Sequence, residues 1–229
     1  MSASAAAVHV CEQVRSVAPS KCLSDTQHDR ALPAKLKVQL CRRAISNSPQ
    51  RCVHSLRKFI NAQRMDIYDA VVACRETESL GPAECVIELF QVTASVTGKV
   101  AGQLCHAAKD VEPARCFVAS PPFYDNETKV LLCNHAESSA PASCVRLIDS
   151  RFTIQPSMKV ALCRGATTVA PAVCAIEAPF GMDEASVVEL CRSALQQGVH
   201  MKFQHPCVYP GAEWLKCVLV PHQLLLDVV

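Results

Sequence analysis

A cysteine, a proline eight residues on and a second cysteine eleven residues on recur six times in register, each block starting about 30 residues after the last. The first cysteines are Cys11, Cys41, Cys74, Cys105, Cys133 and Cys163. The prolines are Pro19, Pro49, Pro82, Pro113, Pro141 and Pro171, and the second cysteines are Cys22, Cys52, Cys85, Cys116, Cys144 and Cys174. A fixed period of this size is the signature of one supersecondary unit copied and stacked, each copy touching only its neighbours. It specifies an architecture and leaves the chemistry open.

Within a block the local signals are helical. Eight residues before the first cysteine stand Asp66, Thr97, Asp125 and Asp183, side chains that accept the free N–H groups of a helix start. Apolar residues then fall three and one positions before the cysteine, as in Val38 and Leu40, Val71 and Ala73, Val130 and Leu132, Val160 and Leu162, and Val188 and Leu190. Alanine follows three residues after it in Ala44, Ala108, Ala136, Ala166 and Ala194, suited to close approach of another helix. Turn residues such as Ser46, Asn47 and Ser48 are expected to end this first helix. The proline opens a second helix, where its missing N–H has no cost, and Pro121 and Pro179 cut that helix short.

Each block therefore reads as an αα-hairpin with one cysteine a turn before the bend and the other a turn after it, opposite one another. The expected bonds are Cys11–Cys22, Cys41–Cys52, Cys74–Cys85, Cys105–Cys116, Cys133–Cys144 and Cys163–Cys174. The fold class is all-α: a solenoid-like tandem array of about seven hairpins of about 30 residues, each clipped by one Cys-x10-Cys disulfide. Residues 1–229 form one elongated domain with units beginning near 4, 33, 66, 97, 125, 155 and 183, and a degenerate partial unit at 209–229. The seventh unit leaves the register and pairs Cys191 with Cys207 across a longer bend, and Cys217 is the odd thiol, available for an intermolecular disulfide or for burial in a cap. The last unit reads either as such a cap or as a truncation.

The hairpin is similar in outline to coiled-coil-helix-coiled-coil-helix proteins, which carry two cysteines on each helix where this chain carries one cysteine per helix and a proline. No function carries over. The Trp, Gly and Tyr signature of tetratricopeptide repeats is absent.

Composition bounds the rest. Half of the residues are hydrophobic but only 5% are aromatic, with Trp214 the sole tryptophan, so the core is thin and needs covalent staples. A net charge of +2, with acidic and basic residues interspersed, leaves no electrostatic footprint for nucleic acid. No apolar run is long enough for a membrane span. Fifteen cysteines in 229 residues point to the extracellular space or the secretory lumen, although Met1 to Val10 lack the features of a signal peptide. The two observations agree if the chain is part of a longer secreted or lumenal protein, or is oxidised by a route without a cleaved signal.

Catalytic, metal and cofactor chemistry find little support. No Cys-x2-Cys pair exists, the eight histidines keep no common repeat position, and His200, His205 and Cys207 form the one local donor set. Neither a Gly-rich phosphate loop nor a Gly-x-Ser-x-Gly elbow is found. Asn126, Glu127 and Thr128 form a candidate N-glycosylation sequon, and Lys37, Lys129 and Lys159, four residues before a cysteine, suggest a solvated basic ladder. The expectation is a non-enzymatic scaffold or protein- or glycan-binding surface without catalytic residues, metal or cofactor. Two alternatives stay open: an intracellular α-solenoid, cytoplasmic or in the mitochondrial intermembrane space, with reduced core cysteines, and a thiol-based redox or metal-buffering protein.

Overall fold

The computed structural model describes residues 17–151, 154–178 and 181–196. Among these there are thirteen helices and no strand: α1 (Ala18–Thr26), α2 (Ala34–Cys41), α3 (Ser48–Ser55), α4 (Arg57–Asn61), α5 (Ile67–Cys74), α6 (Gly81–Val92), α7 (Gly98–Cys105), α8 (Glu112–Ala119), α9 (Asn126–Cys133), α10 (Ala140–Arg151), α11 (Pro156–Cys163), α12 (Ala170–Glu177) and α13 (Glu184–Gln196).

Two kinds of helix alternate, each begun and ended by identifiable residues. In the cysteine-ended kind (α2, α5, α7, α9, α11), four of the expected caps of this series and of α13 act as the sequence implies. The side chain of Asp66 accepts the Tyr68 N–H at 2.7 Å, Thr97 that of Val100 at 3.4 Å, Asp125 that of Thr128 at 2.7 Å and Asp183 that of Ser186 at 3.0 Å. These helices end on the cysteine itself, several residues earlier than the serine-rich stretch suggested. The next residue is extended (Arg42, for example, at φ −61, ψ 129) and the one after is left-handed: Arg43, Glu76, Ala107, His135 and Gly165, at φ between 56 and 74. That sequence of dihedrals is a type II turn. It closes with the alanine N–H donating to the cysteine carbonyl at 3.0 to 3.1 Å in Ala44, Ala108, Ala136 and Ala166. The alanine side chains are buried, and the first residue of α6, Gly81, lies so close to Ala108 that an added Cβ would stand 2.4 Å from its carbonyl oxygen.

The proline-led kind (α1, α3, α6, α8, α10, α12) carries proline as its second residue and cysteine as its fifth. From α3 onward the residue two places ahead of each such helix accepts the first helical N–H: Ser46 from Ser48, Ser79 from Gly81, Asp110 from Glu112, Ser138 from Ala140 and Thr168 from Ala170, at 2.8 to 3.2 Å. Pro121 lies just beyond the end of α8, as expected, and Pro179 lies outside the described residues.

Like packs on like along the array. The cysteine-ended helices stack in one row, α2 on α5, then α7, α9, α11 and α13, and the proline-led helices stack in a second row from α1 to α12. Each helix also packs against its sequence neighbours in the other row. Contacts that run only to adjacent units define a helical repeat array. Its core is the seam between the rows, one continuous apolar cluster from Leu32 to Cys191, with Cys22, Cys41 and Ala44 forming a smaller cluster at one end. Gly102 breaks the run of valines three residues before the cysteine because α7 lies too close to α5 for a side chain. A Cβ there would stand 2.7 Å from the Asp69 carbonyl oxygen.

Candidate functional site

The feature repeated most faithfully is a ladder of six disulfides in that seam: Cys22–Cys41, Cys52–Cys74, Cys85–Cys105, Cys116–Cys133, Cys144–Cys163 and Cys174–Cys191. Their Cα atoms are 5.6 to 5.7 Å apart, within the range that a disulfide spans. Eleven of the twelve cysteines are fully buried, and Cys174 is 8% exposed.

The pairing corrects the expectation from spacing. Cys41 is not bonded to Cys52, nor Cys74 to Cys85, Cys105 to Cys116, Cys133 to Cys144 or Cys163 to Cys174; the first five bonds each join a proline-led helix to the cysteine-ended helix that follows it, and the sixth joins α12 to α13. The reason lies in where each cysteine falls on its helix. In a proline-led helix it sits in the opening turns, and in α2, α5, α7, α9 and α11 it is the last residue, so the antiparallel return brings the two together at the end remote from the connecting loop; in α13 the helix runs on past Cys191 to Gln196. The Cys-x10-Cys interval instead contains a type II turn and a capped entry, a connection that carries the chain to the next layer. Cys22 and Cys191 are bonded to Cys41 and Cys174, which removes the expected partners of Cys11 and Cys207. Cys11, Cys207, Cys217, His200 and His205 lie outside the described residues.

A second feature runs along the ends of the cysteine-ended helices. The residues one and two places after the cysteine touch their counterparts in the next unit. Arg43 faces Glu76 at 3.9 Å, Arg75 Nε donates to His106 Nε2 at 3.3 Å, and the His106 and His135 rings meet edge to face at 6.5 Å. The Asn134 amide donates to the Gln103 carbonyl at 3.2 Å, and Lys109 pairs with Glu137 at 2.7 Å. Burial lowers the pKa of His106, reinforced by the charge of Arg75. Between α2 and the length of α5, with the turns that follow them, lies a cavity of about 220 Å³ whose polar wall includes Gln39, Arg42, Arg43, Tyr68, Arg75 and Glu76.

The lysines four residues before the cysteine do not form a solvated ladder. Lys37 donates to the Gln27 carbonyl at 3.0 Å, Lys129 lies 5.4 Å from the centre of the Phe117 ring, and Lys159, only 13% exposed, pairs with Asp149. Each reaches back to the preceding proline-led helix or its loop. Asn126 is the exposed first residue of α9. Beside it Asp125 caps the helix, and the hydrogen bonds from Thr128 hold its carboxyl below the usual range. Tyr124 is buried, and its hydroxyl has no protein hydrogen-bond partner. Burial and the Asp149 charge push the phenol up to about 12. Among the described residues no group of three His, Cys, Asp or Glu could hold a metal ion, and no helix is long and apolar enough to cross a membrane.

Fold and ladder together define a disulfide-clipped array of helical hairpins, and six disulfides fit an oxidising extracellular or secretory environment. Comparison with known protein families, curated proteins and solved structures finds no match to this chain.

Proposed function

We propose that the protein is a non-enzymatic extracellular or lumenal scaffold whose stacked helix ends present a binding face to a protein or glycan. The observation that carries this reading is the disulfide ladder. Twelve of the fifteen cysteines are committed to buried cross-links at the same two positions of successive units, which is how a structural staple is used. Thiol chemistry would instead single out one accessible sulfur with a lowered pKa. Stacked units offer an extended surface, the functional asset of repeat arrays, and here that surface carries cross-unit contacts such as Arg75–His106 and Lys109–Glu137.

Alkylation of protein taken from its own cellular compartment, before and after reduction, tests the reading. At most three thiols, those of Cys11, Cys207 and Cys217, react before reduction. Fifteen reactive thiols would favour the intracellular solenoid, and a number that changes with added zinc or oxidant would favour a thiol buffer.

A further inference from the structure

The cavity between α2 and α5 gathers three guanidinium groups, Arg42, Arg43 and Arg75, against one carboxylate, Glu76. This is a local excess of two positive charges on a chain whose total formal charge is +2. The excess is poorly spent within the protein. Arg42 has no ion pair among the described residues, and the 3.9 Å contact of Arg43 with Glu76 joins side chains 70% and 45% exposed, a weak pair that a better anion displaces at little cost. Arg75 is held in place by the bond from its Nε to His106. Planar guanidinium forks match sulfate and carboxylate oxygens two bonds at a time.

The other walls narrow the ligand further. Tyr68 is 54% exposed, so its ring offers a flat apolar surface of the kind against which the C–H face of a pyranose lies, and the Gln39 amide can bond hydroxyl groups. A cavity of about 220 Å³ exceeds what a bare sulfate or phosphate fills and suits one sugar ring with its acidic substituents. We propose that this cavity binds an anionic sugar unit of a sulfated, uronate-containing polysaccharide. The site rests on the reading of the protein as an extracellular binding scaffold and names the ligand of one part of its face.

Calorimetric titration of the full, oxidised chain with a heparin-derived tetrasaccharide at constant ionic strength tests the site, with the desulfated tetrasaccharide, inorganic sulfate and a phosphoserine peptide as comparison ligands. The sulfated tetrasaccharide binds tightest. Arg42→Gln combined with Arg75→Gln weakens it by about tenfold or more, and Tyr68→Ser weakens it for the sugar but not for sulfate. Arg164→Gln leaves binding unchanged, because Arg164 holds the same place after Cys163 but is followed by Gly165 rather than a second arginine. Absence of binding, equal loss in the Arg164 variant, sulfate binding as tightly as the sugar, or tighter binding of the phosphopeptide would each overturn the proposal. The same samples are mapped for thiols. Intact disulfides with no sugar binding refute the site alone, whereas free thiols in all repeats refute the scaffold reading itself.

Discussion

Cys85 and Cys105 are 20 residues apart in sequence, yet their Cα atoms lie 5.6 Å apart and their sulfurs are joined, while Cys74, the nearer cysteine in sequence, is bonded to Cys52. The bond ties the opening turns of α6 to the last residue of α7 and so closes the open end of an antiparallel hairpin. In the chain-entropy account, closing a loop of this length stabilises the fold by about 3 kcal/mol.

A mutant cycle separates the two possible pairings. Cys85→Ala and Cys105→Ala each cost about 3 kcal/mol in urea unfolding, and the double variant costs little more, because one bond is lost in all three. Cys74→Ala combined with Cys85→Ala breaks two bonds and costs about twice as much. Additivity of the first pair would contradict the ladder.

The left-handed turn position is a second place where stability can be read. Ala107 sits at φ 56 and Gly165 at φ 74 in equivalent turns, and an added Cβ at Gly165 would meet nothing within 4 Å, so the effect there is one of backbone alone. Ala107→Gly raises stability by about 0.5 kcal/mol, the relief of left-handed strain outweighing the extra freedom of the unfolded glycine. Gly165→Ala lowers it by a similar amount. Thermal unfolding of both variants checks the opposite signs.

Burial of His106, reinforced by the charge of Arg75 beside it, makes stability depend on pH. His106 must keep Nε2 unprotonated to accept from Arg75, and its folded pKa lies below the ordinary 6.5. The unfolded chain therefore binds the proton more readily. The contribution is complete above 6.5 and is lost as pH falls from there through the lowered folded pKa. His106→Gln removes this part of the acid sensitivity, seen as a smaller drop in denaturation midpoint between about pH 7.5 and pH 5.

Tyr124 offers a test of packing. Its buried hydroxyl has no protein partner, so Tyr124→Phe is neutral or stabilising by up to about 1 kcal/mol. Burial pushes the phenol up to about 12, above the ordinary tyrosine value of about 10, and an ultraviolet titration of the intact protein checks it. Because the folded pKa is the higher one, the associated stability is present below 10 and fades as pH rises toward 12.

Much of this architecture is legible in the residues themselves. Asp66, Thr97, Asp125 and Asp183 announce helix starts because an N-cap is local chemistry, satisfied within three residues. The prolines mark the second helices for the same reason. The pairing of cysteines is not local. Cys85 is nearer in sequence to Cys74 than to Cys105, and only the layer step made by the turn through Arg75, Glu76 and Thr77 decides between them. A signal for that turn was present but weak, since only Gly165 of the five left-handed positions is glycine. The serine, threonine or aspartate five residues after each first cysteine, from Ser46 to Thr168, was the clearer one. A capping side chain there implies a fresh helix start and hence an earlier end to the helix before it. The lysines misled because their partners, Gln27, Phe117 and Asp149, stand in the preceding helix or loop at no fixed place in the repeat.

Tryptic digestion without reduction, followed by mass spectrometry, addresses the cross-linking of successive helices most directly. Cys85 falls in peptide 76–99, Cys105 in 100–109 and Cys74 in 65–75. The ladder predicts that 76–99 is recovered linked to 100–109. Recovery of 76–99 linked to 65–75, or of all three peptides unlinked, would contradict it.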